Sequence, residues 1–304
     1  MGGYCRPGVR LRLVWCNRDV HRPRAVATAF AWATLVTASL AAQASVGSAR
    51  TVLAAVVNSL GRPIVDVGPD DFVVSEGSEP RDVLDVHVAD YPIALVVDDR
   101  VQTNVPLEAL RRAAVRFVGR MGERPVTLVG LSDGSRPVVT LDEDRAVLLE
   151  RLSALPSTDV ASTPPLDTIS RAAILLKDTG APFSAVIVIA AGPVDATALV
   201  RGELLPAILE TGAAVHVVRV QAPLEAAAGG DPPEDLLHVI ADQTKGQFTA
   251  IFSPTSFDAA LDRLADRLAI EMMVQYMVPP GPKAGDVRVG VRIPGSRVIG
   301  LGVK

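Results

Sequence analysis

Residues 91–104 read YPIALVVDDRVQTN, and the way this stretch changes character decides the fold. Ile93, Ala94, Leu95, Val96 and Val97 form an unbroken apolar run that stops at Asp98, Asp99 and Arg100. A short run that is apolar at every position, not at alternate ones, suits a strand buried on both faces inside a parallel sheet. The polar burst then falls at the strand's carboxyl end, where open α/β sheets place their binding crevice. Pro106 opens a helical pattern over 107–121, LEALRRAAVRFVGRM, with Leu107, Leu110, Ala114, Phe117 and Met121 on one face.

Working outward, strand-like runs recur at 126–131, 185–190, 214–220 and, more weakly, 248–252. Helical patterns fall between and beside them at 106–121, 144–155, 165–178, 197–211, 234–244 and 256–272. This alternation predicts an α/β fold with a doubly wound, mostly parallel sheet, covered by helices on both faces. In the last helix Phe257, Leu261, Leu264 and Leu268 form an apolar stripe, and Thr255 with Asp258 has the spacing of a capping box. The two flanks read differently. Residues 51–57, 62–67, 70–77 and 80–86 are short β-like pieces separated by Gly, Pro and Asp, and so are 274–278, 286–293 and 297–303. Neither set makes a core alone, so both are expected to join in one small β subdomain built from the two chain ends. The expected division is 45–90 for the amino-terminal β strands, 91–272 for the α/β domain and 273–304 for the closing strands.

The leading 44 residues form a separate region. Six arginines precede the uncharged segment 25–44, which ends Ala42-Gln43-Ala44, the succession of a secretory signal peptide. The competing reading is a retained anchor, since 20 residues just span a bilayer. Cleavage would remove those arginines, Asp19, and both cysteines, Cys5 and Cys16, leaving 24 basic and 33 acidic residues. An exported chain of that balance, with no cysteine and cut from a sequence of 4% aromatic residues, is a poor candidate for a nucleic-acid binder, a disulfide scaffold or a cysteine metal site. It is expected in the periplasm, outside the cell or at the envelope, with no membrane insertion after cleavage.

These features together resemble the von Willebrand factor type A domain, and more narrowly the exported bacterial VWFA-related proteins. The resemblance rests on NSLGRPIVDVGPDDFVVSEG (58–77), ALVVDD (94–99), STPPLD (162–167), VIVIAAG (186–192) and the tail beginning at Gln275-Tyr276. Such domains carry a metal-ion-dependent adhesion site made of an Asp-x-Ser-x-Ser loop, a threonine and a later aspartate. Asp98 matches the first aspartate and Thr163 the threonine. Arg100 and Gln102 stand where the serines belong, and Ala191 where the last aspartate belongs. A guanidinium cannot ligate a cation and repels one. The resemblance therefore implies a degenerate site: no metal, no cofactor, no catalysis, and another protein bound at a rim of Asp98, Asp99, Arg100, Gln102, Asn104 and Thr163. Arg100 has two readings: it replaces the cation by pairing with Asp98, Asp99 or another rim acid, or it is simply solvated and pairs with nothing.

Two further readings stay open. One is a divalent-metal adhesion module that uses Asp98, Thr163 and Asp133 or Asp195 as substitute ligands. The other is an enzyme, resting only on polar groups at a sheet edge, which fold alone does not exclude. Asp98 and Asp99 make a poor catalytic pair because neighbouring strand residues point to opposite faces. Ser132-Asp133-Gly134 reads as a tight turn without the context of a nucleophile elbow. His216, in AVHVV, reads as a sheet histidine.

Overall fold

The computed structural model describes residues 47–100, 105–159, 163–192, 194, 198–221, 235–281 and 285–304. The leader, Gln102, Asn104 and Asp195 lie outside the described residues. Strand β5 (Ile93–Val97) is followed by α1 (Leu107–Arg120), β6 (Val126–Gly130), α2 (Arg145–Ser153), α3 (Pro165–Lys177), β7 (Ala185–Ala190), α4 (Ala198–Thr211), β8 (Ala214–Val220), α5 (Leu236–Gln243), β9 (Phe248–Ile251) and α6 (Phe257–Ala269). The five strands form a parallel sheet in the order β6-β5-β7-β8-β9. The sequence order thus reverses between β5 and β7, the switch point where such sheets open a crevice.

Period-two alternation explains why these strands can be apolar throughout. Ile93, Leu95 and Val97 with Ile187 and Ile189 enter the core beneath α1, α2 and α6. Ala94, Val96, Val186, Val188 and Ala190 enter the opposite core, beneath α3, α4 and α5. Every residue of β5, β6 and β7 is buried. On the surface, Arg116 and Arg120 hold Asp262 at a pKa of about 2 through hydrogen bonds between α1 and α6.

The outer edge of β6 is not bare. Leu128 exchanges backbone hydrogen bonds with Val138 and Val139, and Thr127 Oγ1 donates to the Val139 carbonyl at 2.6 Å. This antiparallel bridge, with a second from Gly130 to Asp133, covers an edge that would otherwise offer unpaired groups.

The flanks form two antiparallel sheets. β1 (Ser48–Asn58) lies between β10 (Glu271–Val278) and β12 (Ser296–Val303), with β4 (Val83–Val88) beyond β10. β2 (Phe72–Glu76) pairs with β3 (Glu79–Arg81) and β11 (Val287–Val291). Val52, Ala54, Val56, Phe72, Val74, Val274 and Tyr276 fill the space between these sheets. The alternate residues Leu53 and Met273 join the core of the α/β domain, so the sheet through β1 is apolar on both faces. Three expectations are corrected. Residues 62–67 make one isolated bridge, Val57 to Pro63, because Asn58 turns the chain by accepting from the backbone N–H groups of Leu60 and Arg62. The last helix ends at Ala269, not 272, since Glu271 to Met273 already pair with β1 and Met272 and Met273 also with β4. At its start Ser253, in place of Thr255, takes the capping role, accepting from Thr255 N before a 3-10 turn.

Polar groups mark the joints. Glu76, fully buried as a side chain, pairs with Arg50 and, at 3.3 Å, with Arg81. Tyr91 donates from its hydroxyl to Glu271, and the Arg124 guanidinium sits 4.7 Å over the Tyr91 ring while donating to the Leu268 carbonyl. Burial raises the pKa of both Glu271 and Tyr91. Among the described residues no helix is long and apolar enough to cross a membrane.

His216 on β8 supplies a pH test. Burial, with Arg267 nearby, lowers its pKa from 6.5 to about 3. The unfolded chain binds a proton near pH 6.5 that the folded chain refuses down to about 3, so stability falls as pH drops through that window. Between pH 7.5 and 5 this residue alone should remove about 2 kcal/mol. Urea unfolding of wild type and His216→Leu at both pH values should show a smaller loss in the variant; equal losses would contradict a neutral buried ring.

Candidate functional site

The site is built on the carboxyl ends of β5, β6 and β7. β5 ends in a carboxylate pair whose members turn to different partners. Asp98 has a side chain with no exposed surface and receives a bidentate pair of hydrogen bonds from Arg100, Nε to Oδ1 at 2.7 Å and Nη2 to Oδ2 at 2.8 Å. Oδ2 also accepts from the backbone N–H of Ala191, just past β7, at 3.0 Å. Asp98 N donates to the Ile189 carbonyl at 2.9 Å, so the aspartate is tied to both sides of the β5–β7 switch point. Arg–carboxylate forks of this kind are among the stronger ion pairs, because two parallel charge-assisted bonds fix both groups.

Asp99 faces β6. Its two oxygens accept from Ser132 N at 2.8 Å and Ser132 Oγ at 2.7 Å. Space for that carboxylate comes from Gly130, where an added Cβ would lie 2.6 Å from Asp99 Oδ2. The Asp99 carbonyl accepts from Thr158 N at 2.8 Å, which lays Thr158 beside the rim. Thr163 is buried and donates its N–H to the Ser132 carbonyl at 3.1 Å. Gly134 packs on the first turn of α3, and a Cβ there would meet Thr168 Oγ1 at 2.5 Å. Asp133, considered above as a substitute ligand, is exposed and accepts from Ser135 N at 3.0 Å, the geometry of a turn.

The structure therefore brings Asp98, Asp99, Arg100 and Thr163 to one sheet edge. Sequence reasoning placed Ser132 in a turn without linking it to Asp99, and passed over Gly130. The signal was present: a glycine ending one strand and a serine just beyond it, opposite a double aspartate. It becomes legible only once β6 is known to lie beside β5. Chemically, the rim is a set of satisfied acceptors. A cation placed on Asp98 would have to displace a guanidinium from both oxygens, and no side-chain oxygen stands at 100 or 191 to complete a shell for a hard ion.

No protein-family model matches this sequence, and no curated protein does. Among solved structures the chain is similar to the conserved hypothetical protein BatB from Bacteroides thetaiotaomicron, with 18% identity over 59% of this chain and 98% of that one and a TM-score of 0.42. It is similar to a von Willebrand factor type A from Catenulispora acidiphila, at 12% identity over 86% and 74% of the two chains and a TM-score of 0.46. A third likeness is to the vWF domain of the type V pili tip protein Mfa5 from Porphyromonas gingivalis, at 12% identity over 60% and 96%, with a TM-score of 0.42. Likenesses this distant carry no argument about activity or ligand, and the α/β fold rests on the chain's own strand order.

Removing Arg100 leaves Asp98 buried with only backbone donors. Arg100→Ala should therefore destabilise the protein by about 2–4 kcal/mol in urea unfolding. A loss of a few tenths, the usual effect of truncating an exposed arginine, would show that the fork contributes nothing.

Proposed function

We propose that this chain is an exported, non-catalytic interaction module of the von Willebrand factor A type, which binds another protein at the rim without a divalent cation. The observation that carries the reading is the fork between Arg100 and Asp98. In a metal-dependent rim the strand-end aspartate is oriented by the ion, whose positive charge also receives the partner's carboxylate. Here one side chain does the orienting, and Arg100 remains partly exposed while Asp98 is covered. A fixed, partly solvated guanidinium at a crevice mouth is suited to an acidic group on a partner. Export is supported by the basic–apolar–AQA succession over 1–44. Gln102 and Asn104 belong to the proposed rim by their place in the sequence.

A cation that binds only the native state raises its stability by RT ln(1 + [L]/Kd), about 2.7 kcal/mol at a hundred times Kd. The melting temperature of the wild-type chain should be the same in EDTA and in millimolar Mg²⁺ or Mn²⁺. The triple variant Arg100→Ser, Gln102→Ser, Ala191→Asp restores oxygen donors and should gain a metal-dependent rise. A rise in the wild type would overturn the metal-independent reading, and a folded triple variant indifferent to both ions would count against the assignment of these positions.

A further inference from the structure

A second concavity lies at the opposite, amino-terminal edge of the parallel sheet, far from the rim in topology. It has a volume of about 280 Å³ and forms where β8, the ends of α4, α5 and α6, and the strands β1, β10 and β12 converge. That is the small end of the range for small-molecule sites. Its walls are mixed. Leu53, Phe183 and Leu301 give an apolar side, while Lys245, Arg267 and Lys304 bring three cations against one carboxylate, Glu271. The carboxylate is already engaged by the Tyr91 hydroxyl. A local cation excess stands out in a chain whose formal net charge is −4.

One of the cations is anchored and another is given room. Arg267 donates from Nη1 to Gln247 Oε1 at 3.0 Å. Gly212 makes room for the Lys304 ammonium, since a Cβ at that position would collide with Nζ. The independent observation is His216. It lines this cavity, is 3% exposed, and its Nδ1 has no hydrogen-bond partner among the described residues. A polar atom so deeply buried is expected to be bonded. Its neutral state, set by burial and Arg267, leaves it free to act as a hydrogen-bonding group and not as a further charge.

We propose that this cavity binds a small amphipathic monocarboxylate. The carboxylate pairs with Arg267 and Lys304, His216 Nδ1 supplies a hydrogen bond, and the apolar body rests on Leu53, Phe183 and Leu301. The helices favour a single negative charge. α4, α5 and α6 all present their carboxyl ends here, at Thr211, Gln243 and Ala269. Those ends carry partial negative charge, which opposes a dianion about twice as strongly as a monoanion, and they lack the N–H groups that cradle a phosphate. The proposal is independent of the rim and of whether the rim binds metal.

The test uses the purified chain with hexanoate as probe, hexanamide and inorganic phosphate as controls, and the ring nitrogens of His216 followed by ¹H–¹⁵N NMR. Hexanoate should shift the His216 signals saturably, with hexanamide and phosphate each weaker by on the order of tenfold or more. Arg267→Gln should weaken the hexanoate response by a similar factor, and Lys304→Gln provides the same comparison if that variant does not fold. A response absent with hexanoate, equal with hexanamide or phosphate, or unchanged in the folded variant would overturn the proposal and leave the three cations as caps of helix ends.

Discussion

The carboxylate of Asp98 has no path to water, since its side chain is fully covered at the end of a strand buried on both faces. An isolated charge in that position is too costly to keep, so its surroundings must supply opposite charge or donors. Arg100 supplies the charge, and the backbone N–H of Ala191 supplies a further donor. Asp98 itself reaches both strands of the switch point, donating from its N–H to the Ile189 carbonyl and accepting at Oδ2 from Ala191 N. It locks β5 against β7 at the place where a doubly wound sheet would otherwise open, and the arrangement of Asp99, Ser132 and Thr163 is organised beside it. The ion pair covers the carboxylate and leaves the guanidinium partly exposed.

Much of the α/β domain was legible because its strands are apolar at every position. β5, β7 and β8 match the apolar runs residue for residue, and the helices between them differ by at most two residues at either end. Such runs need no partner to be read, as burial on both faces forces the pattern. The misreadings are local ones, where side-chain hydrogen bonds compete with regular structure. Asn58 bonded to the backbone at 60 and 62 prevented the strand that the pattern at Ile64 and Val65 suggested, and Ser253 pre-empted the cap assigned to Thr255. At the rim, Asp98 and Arg100 could be named from sequence because they are two residues apart. Ser132 and Gly130 could not be tied to Asp99, because their relation to it exists only across the sheet.

The two ends of the chain meet through β1, which lies between β10 and β12. Its alternate residues serve two cores at once, Leu53 toward the helices and Val52, Ala54 and Val56 toward the smaller sheet. Tyr91, Glu271 and Arg124 form the polar seam where the chain passes from the β sheets into the α/β domain. The edges of the parallel sheet thereby differ in charge. At the carboxyl edge an aspartate pair is neutralised by an arginine and by N–H and O–H donors, while at the amino edge cations gather around one carboxylate.

The central claim is that a direct guanidinium–carboxylate interaction, with no ion between, organises the rim. A double-mutant cycle on Asp98→Asn and Arg100→Ala, measured by urea unfolding in EDTA, isolates that interaction from the separate effects of each side chain. The account predicts a coupling free energy of about 2–3 kcal/mol, at the upper end of the range for contacting residues. Additive losses, with coupling near zero, would contradict it.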